Sequence, residues 1–296
     1  MRDKTVFKRG VKRLLSLGYE VEVDPGSLLS SMRFAGDDEQ RIQAFSRAAA
    51  SGADVALISR GGYGITRILD ALPYKEIFKS IENGTKFVGI SDFTAFQAAV
   101  YAQNKSVTWA GPALCEGFGS VENDGLPDDI MEDCFYDLIS GQGEGAGWRQ
   151  DRNAHIPEAD AKCLVNDALV WGGNLCVLSG LLGTPFFPKI KKGILFLEDV
   201  GEHPYRIERM LSQLLHSGVL SEQRAILLGQ FTGYQLNLHD RGFSMKTVTE
   251  WLRSKISVPV ITNLPYGHVQ TKIILPFGKK ADLALDGKDA MLFWGH

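Results

Sequence analysis

The feature that most constrains this chain is a series of short apolar runs, each stopping at glycine or another small residue, with helical patterning between them. In "DVALISRGGYG" (54–64), "KFVGIS" (86–91) and "SVTWAG" (106–111), aliphatic and aromatic residues fill a run of strand length and end at a turn. "ITRILDAL" (65–72) and "TAFQAAVYAQNK" (94–105), which lie between these runs, read as helices. Further upstream, Val11, Leu14 and Leu15 recur at helical spacing and "YEVEV" (19–23) alternates with period two. "DDEQRIQAFSRAAASG" (37–52) carries acids at its start and a glycine after its end, as a helix does. Strand and helix in alternation dictate a parallel sheet, whose ligands bind at the carboxyl ends of the strands.

The pattern changes at "GQGEGAGWRQDRNAHIPEAD" (141–160), which is poor in aliphatics and reads as a crossing between domains. After it come "KCLVNDALVWGGNL", a strand "GILFLED", and a helix "HPYRIERMLSQLLHSG" with Ile207, Met210, Leu211, Leu214 and Leu215 on one face. There follow "AILLGQF", a helix "SMKTVTEWLRSKI", the runs "VPVITNLPYG" and "IILPFG", and a final pair of strands around the Asp-Gly turn at 286–287. The expected fold is therefore α/β. Residues 1–140 form an N-terminal doubly wound, flavodoxin-like parallel-sheet domain, 141–160 a linker, and 161–296 a C-terminal mixed α/β domain with several short strands.

Composition excludes several functions. A formal net charge of -3, with no run of lysines and arginines, argues against nucleic acid as a partner. The cysteines at 115, 134, 163 and 176 are too widely spaced for a metal knuckle or a redox pair, and read as reduced, mostly packed thiols. Charges interrupt every apolar stretch of the first residues, so neither a signal peptide nor a membrane span is expected there. A cytoplasmic enzyme, with no membrane partner, is the expectation.

Three strand ends carry reactive groups. Ser91 in "GISD" either caps the following helix or acts as an exposed nucleophile on a strand-to-helix elbow. "RGGYG" (60–64) is neither a dinucleotide nor a phosphate loop. It is either a tight turn or a place where backbone amides face developing negative charge. Glu198 and Asp199 end "ILFLED", and His268 follows "PYG". Singly, such acids are commonly solvated and such a histidine structural. Together, a serine, an acid and a histidine beyond apolar strands, in that chain order, match the order of the α/β-hydrolase triad. There is no H-E-x-x-H or equivalent spacing for a zinc hydrolase, so no metal or cofactor is expected.

The stretches "FAGDDEQR", "SRGGYG", "GISDFTA", "GPALCEGFG", "LVWGGNLCVL", "GTPFFPKI", "GILFLEDVGEHPYRIERML" and "YGHVQTKIILPFG" occur in an order and spacing that resembles the LD-carboxypeptidases. These serine peptidases remove the terminal D-alanine from murein tetrapeptides. The resemblance implies Ser91 as nucleophile, His268 as general base, Glu198 as the acid orienting it, and the backbone amides of Gly62 and Asp92 as oxyanion donors. It also implies a murein tetrapeptide or muropeptide substrate, a role in peptidoglycan recycling and a homodimer. Arg60, Asn174, Glu202 and Arg206 are chemically suited to the stem peptide's carboxylates and amine, and Tyr63 and Trp171 to lining the pocket. Two rival readings are a microcin-immunity peptidase cutting an aminoacyl-nucleotide and a non-catalytic binder of cell-wall peptides. The family departs from this chain at one point. Its members open with a hydrophobic strand ending in Ala-Pro-Ser, whereas here the first residues already read as the first helix, so the domain is expected to lack its first strand, with either a gap or distorted edge in the N-terminal sheet or a true start codon further upstream.

Overall fold

The computed structural model describes residues 3–121, 125–150 and 162–295. Two mixed sheets organise it. The first runs β1 (Val55–Leu57), β2 (Lys86–Gly89), β3 (Thr108–Ala110), β9 (Leu275–Phe277). Its first three strands are parallel, as helical connections require, but β9 pairs antiparallel with β3, with Ala110 opposite Leu275. The strands of the N-terminal half are thus parallel as expected, and the C-terminal half of the chain supplies an antiparallel last strand. The four strands follow one another without a gap, and β1 is the half-buried outer strand. "YEVEV" forms no strand.

The second sheet has seven strands in the order β4 (Gly145–Arg149), β11 (Asp289–Phe293), β10 (Lys280–Asp286), β5 (Lys162–Asn174), β6 (Ile194–Val200), β7 (Ala225–Thr232), β8 (Val260–Ile261). Strands β5 to β8 are parallel and the others antiparallel. β4 lies inside the stretch expected to be a linker, and most of the rest of that stretch falls outside the described residues. The halves are joined as well as adjacent. Past β9 the chain exchanges hydrogen bonds with β5, Gly278 N to Val170 O at 2.7 Å and Val170 N to Lys279 O at 2.9 Å, before entering β10.

Helices α1 (Lys4–Ser16), α2 (Asp38–Ala50), α3 (Tyr74–Glu82), α4 (Phe93–Asn104), α5 (Asp129–Ser140), α6 (Leu175–Leu181), α7 (Pro204–His216) and α8 (Met245–Lys255) cover these sheets. On α7 the expected face is the buried one, with Ile207, Leu211 and Leu214 inside. On α1 it is so only in part. Phe7, Gly10 and Leu14 are buried and Val11 is half-buried, while Leu15 is exposed, and Gly10 lets the helix lie against Leu114. "ITRILDAL" closes into two 3-10 turns, 65–67 and 69–71, rather than an α-helix. α4 is buried at every position from Phe93 to Tyr101, with Phe93 and Phe96 stacked at 4.7 Å. An all-round apolar helix belongs in the middle of a core, and this one is a rigid pedestal for the residues at its start. Among the described residues no helix is long and apolar enough to cross a membrane.

Candidate active site

Ser91 stands between β2 and α4 with φ of +65°. A non-glycine residue rarely adopts that left-handed conformation, so the surroundings must enforce it. They do so from two directions. The peptide oxygens of Ser91 and Asp92 receive Thr94 N at 2.9 Å and Ala95 N at 3.0 Å, committing the chain to helix at once. The Asp92 carboxylate is buried and receives Gly64 N at 3.0 Å and Ile65 N at 2.8 Å, binding the glycine turn to the elbow. Burial raises the pKa of Asp92 although these two amides and Arg41 oppose it.

The capping alternative for Ser91 does not hold. Asp92 occupies the N-cap position of α4, and the half-buried Ser91 hydroxyl makes no hydrogen bond among the described residues. The glycine turn presses against it so closely that a Cβ on Gly61 would lie 2.5 Å from Ser91 Cβ and 2.5 Å from Ile90 O. Neither Gly62 N nor Asp92 N has a hydrogen-bond partner among the described residues, so the two residues that follow the touching pair Gly61 and Ser91 each carry an unbonded amide.

Glu198, fully buried, accepts from the ring of His268, Nδ1 to Oε2 at 2.8 Å. Gly267, at φ +141°, delivers the histidine there, since a Cβ at that position would crowd Gln230 O at 3.0 Å and Glu198 Cβ at 3.3 Å. Burial works against a charged His268, but the Glu198 hydrogen bond and charge outweigh it and the pKa rises above its ordinary value. With Nδ1–H on Glu198, the Nε2 lone pair is free to take a proton.

Asn174 closes the back of the site. Its Nδ2 donates to Glu198 Oε1 at 3.2 Å and to Asp199 Oδ1 at 3.0 Å, and its backbone N donates to Thr94 Oγ1 at 3.0 Å. A continuous path thus runs from the Ser91 elbow through Thr94, Asn174 and Glu198 to His268. No hydrogen bond joins Ser91 to His268 among the described residues, and such bonds often close only with substrate in place. Asp199, buried, also receives Cys176 N and Val200 N, each at 2.8 Å. Burial, and then the charge of Glu198, push its pKa up to about 6.

Of the residues expected to contact substrate, Trp171 is misplaced. It is 0% exposed with its indole donating to Gln223, so it is a core residue and lines nothing. Asn174 is 4% exposed and its side chain is fully engaged within the protein, Oδ1 included, so it positions the acids instead of meeting a ligand. Tyr63 projects from the glycine turn, 55% exposed beneath Arg33. Arg60 pairs with Glu116, and Arg206 with Glu202 one helical turn away. Of the described cysteines Cys115 is buried, Cys134 half-buried and Cys176 exposed. Two charged residues near the site were not anticipated, Glu116 and Lys272. The second had a signal: a lysine opening the otherwise apolar run "KIILPFG".

Residues 1–111 match the family model of the LD-carboxypeptidase N-terminal domain, and residues 167–283 that of the LD-carboxypeptidase C-terminal domain. The crystal structure of muramoyltetrapeptide carboxypeptidase from Oxalobacter formigenes superposes with a TM-score of 0.86 at 35% identity, covering 99% of this chain and 96% of that one. A putative carboxypeptidase of Synechocystis is 31% identical over 290 residues, 96% of this chain and 87% of its own. The microcin C7 self-immunity protein MccF of Escherichia coli is 29% identical over 309 residues, 97% of this chain and 87% of its own.

Proposed function

The chain belongs to the LD-carboxypeptidase family and is a serine-type carboxypeptidase, and from that premise we propose that it cleaves the L-D peptide bond of murein tetrapeptides to release the terminal D-alanine. The observation that carries this reading is the Glu198–His268 pair, tied through Asn174 and Thr94 to a serine held at positive φ.

In this reading His268 Nε2 takes the Ser91 proton as the oxygen attacks the carbonyl of the residue before D-alanine. Glu198 holds the ring by its Nδ1–H and stabilises the imidazolium. The amides of Gly62 and Asp92 receive the oxyanion, and each such donor contributes about 3 kcal/mol. His268 then returns the proton to the departing amine of D-alanine, and water activated by the same ring hydrolyses the acyl-enzyme. Arg60, Tyr63, Glu202 and Arg206 stand as contacts for the stem peptide's carboxylates and amine. We place the reaction in cytoplasmic peptidoglycan recycling and expect a homodimer, which sedimentation would check.

The alternative substrate is an aminoacyl-nucleotide: Trp148, the aromatic residue of the 141–160 stretch, is half-buried with its indole donating to Thr262 O at 3.1 Å, and it lines a cavity with Pro265, Val269, Gln270 and Thr271, the last three following His268 in the chain. The deciding experiment offers the protein a murein tetrapeptide and, separately, an aminoacyl-adenylate analogue. Release of free D-alanine from the first supports the proposal; turnover of the second alone overturns it.

A further inference from the structure

The glycine turn is held on one side by Asp92 and on the other by a residue outside the elbow. Glu116, in the loop after β3, accepts Gly61 N on Oε2 at 3.2 Å and Arg60 Nε on Oε1 at 3.2 Å. Both donors immediately precede Gly62. The Glu116 segment runs alongside the turn's approach, Leu114 N to Ile58 O at 2.9 Å and Cys115 N to Ser59 O at 3.0 Å. Its main chain is anchored in turn by Lys272, whose Nζ donates to Glu116 O at 2.9 Å and to Gln270 O at 3.4 Å. Lys272 is 2% exposed, and it lies four residues after His268.

We propose that Glu116 is a positioning residue of the oxyanion turn, and that the ammonium of Lys272 couples it to the segment bearing the base. This rests on the serine mechanism proposed above. Gly62 is exposed and a Cβ there would touch nothing, so no side-chain packing fixes where its amide points. The aim of that amide is set by its neighbours: Gly61 held by Glu116 before it, Gly64 held by Asp92 after it. A buried ammonium is an expensive way to support a loop, because a hydrocarbon of equal volume avoids the desolvation cost. Burial lowers the Lys272 pKa to about 8, against the opposing charges of Glu116, Asp128 and Glu198. Its use here follows from what it joins, a carbonyl of the Glu116 segment and one of the segment that follows His268. Glu116 has a second effect: with Glu198 and Asp199 it is one of the charges that raise the pKa of His268.

The test compares the parent protein with Glu116→Ala and Glu116→Gln by D-alanine release from a murein tetrapeptide between pH 5.5 and 9. Glu116 is partly exposed, and thermal melting confirms that each variant folds. Glu116→Ala should lower kcat about tenfold or more, as a misaimed oxyanion donor does. Glu116→Gln keeps an acceptor for Gly61 N and should recover kcat at pH 8 to within about threefold, while the acid limb of kcat/KM moves to lower pH because a negative charge near His268 is gone. An Ala variant within twofold of the parent at pH 8, or a Gln variant as impaired as Ala with an unmoved limb, would overturn the assignment. A parent that releases no D-alanine sinks the function itself. An active parent with an indifferent Ala variant sinks only the role of Glu116.

Discussion

Gly61→Ala is the sharpest probe of how the site is assembled, because it adds one carbon and removes nothing. That carbon would sit 2.5 Å from Ile90 O and from Ser91 Cβ. Carbon contacts settle at about 3.5 Å or more, so the turn and the elbow must separate by about 1 Å. Both partners are anchored: Ile90 and Ser91 by β2 and α4, the turn by Asp92 and Glu116. The displacement therefore falls on the distance between the Ser91 hydroxyl and the Gly62 amide. Misplacement of about 1 Å can cost about 100-fold in rate, or about 2.7 kcal/mol of barrier. Overpacking should also lower stability by about 1–3 kcal/mol. The assay is kcat and KM for D-alanine release, measured beside denaturant unfolding at 25 °C. A control is Gly180→Ala in α6, where the added carbon meets nothing and helix propensity should stabilise by up to about 1 kcal/mol. A folded Gly61→Ala enzyme with kcat within threefold of the parent would refute the claim that contact between turn and elbow sets the oxyanion geometry.

Ser91→Ala should reduce turnover to background while leaving the melting temperature at or above the parental value, since it removes one unbonded oxygen from a strained residue; D-alanine release at the parental rate refutes the nucleophile. The enzyme should accept the tetrapeptide and refuse the pentapeptide ending in D-Ala-D-Ala, whose scissile bond has the opposite configuration on its acyl side, and comparable cleavage of both would move it to another reaction class. Because Glu198 raises the His268 pKa, kcat/KM should fall as pH drops through a value above the ordinary 6.5, and an acid limb below 6.5 would contradict the pairing. Asp199, raised from 3.8 to about 6, holds its proton better folded than unfolded, so its contribution is full below about pH 4 and is lost as pH rises to about 6, by on the order of 3 kcal/mol. Unfolding free energies of the parent between pH 4 and 6 should carry this loss, and Glu198→Gln, which removes the second cause of the shift, should reduce it; equal slopes in both proteins would refute the coupling.

The strands and the α7 face were legible because periodicity and turn residues are local signals, and Ser91 and Glu198 were legible because chemistry in an open α/β sheet gathers at carboxyl ends, whereas His268, expected just beyond a strand, lies in a loop seven residues past β8. What the sequence concealed depends on distant partners. The run "IILPFG" looks like any other strand of the second half, yet β9 pairs with Thr108–Ala110, and only tertiary packing decides between the sheets. Trp171 looked like a pocket residue because nothing local records the Gln223 side chain that takes its N–H, 52 positions away. "YEVEV" alternates faithfully, but alternation makes a strand only beside another edge. Glu116 looked like an ordinary loop acid, and its partners Gly61 and Lys272 lie 55 and 156 residues from it.

Adjacent acids at 198 and 199 would normally point to opposite faces of a strand and ignore each other. Here the β6–β7 register shifts between Leu197 and Asp199, while on the other edge Asn174 stays opposite Glu198. One carboxamide then reaches both carboxylates, one through each N–H in the simplest arrangement. Two like charges around a single neutral donor cannot be equally comfortable, and the strain is divided unequally. Among the described residues Asp199 has three N–H donors and no cation, and burial and its neighbour push its proton affinity up. Glu198 has the imidazole, whose positive charge would answer its own. The arrangement therefore stabilises a protonated His268 most strongly from the one buried carboxylate that touches it. That is the state the ring must reach when it takes a proton from Ser91, so the same packing that makes the acid pair awkward at rest favours the step that general-base catalysis requires.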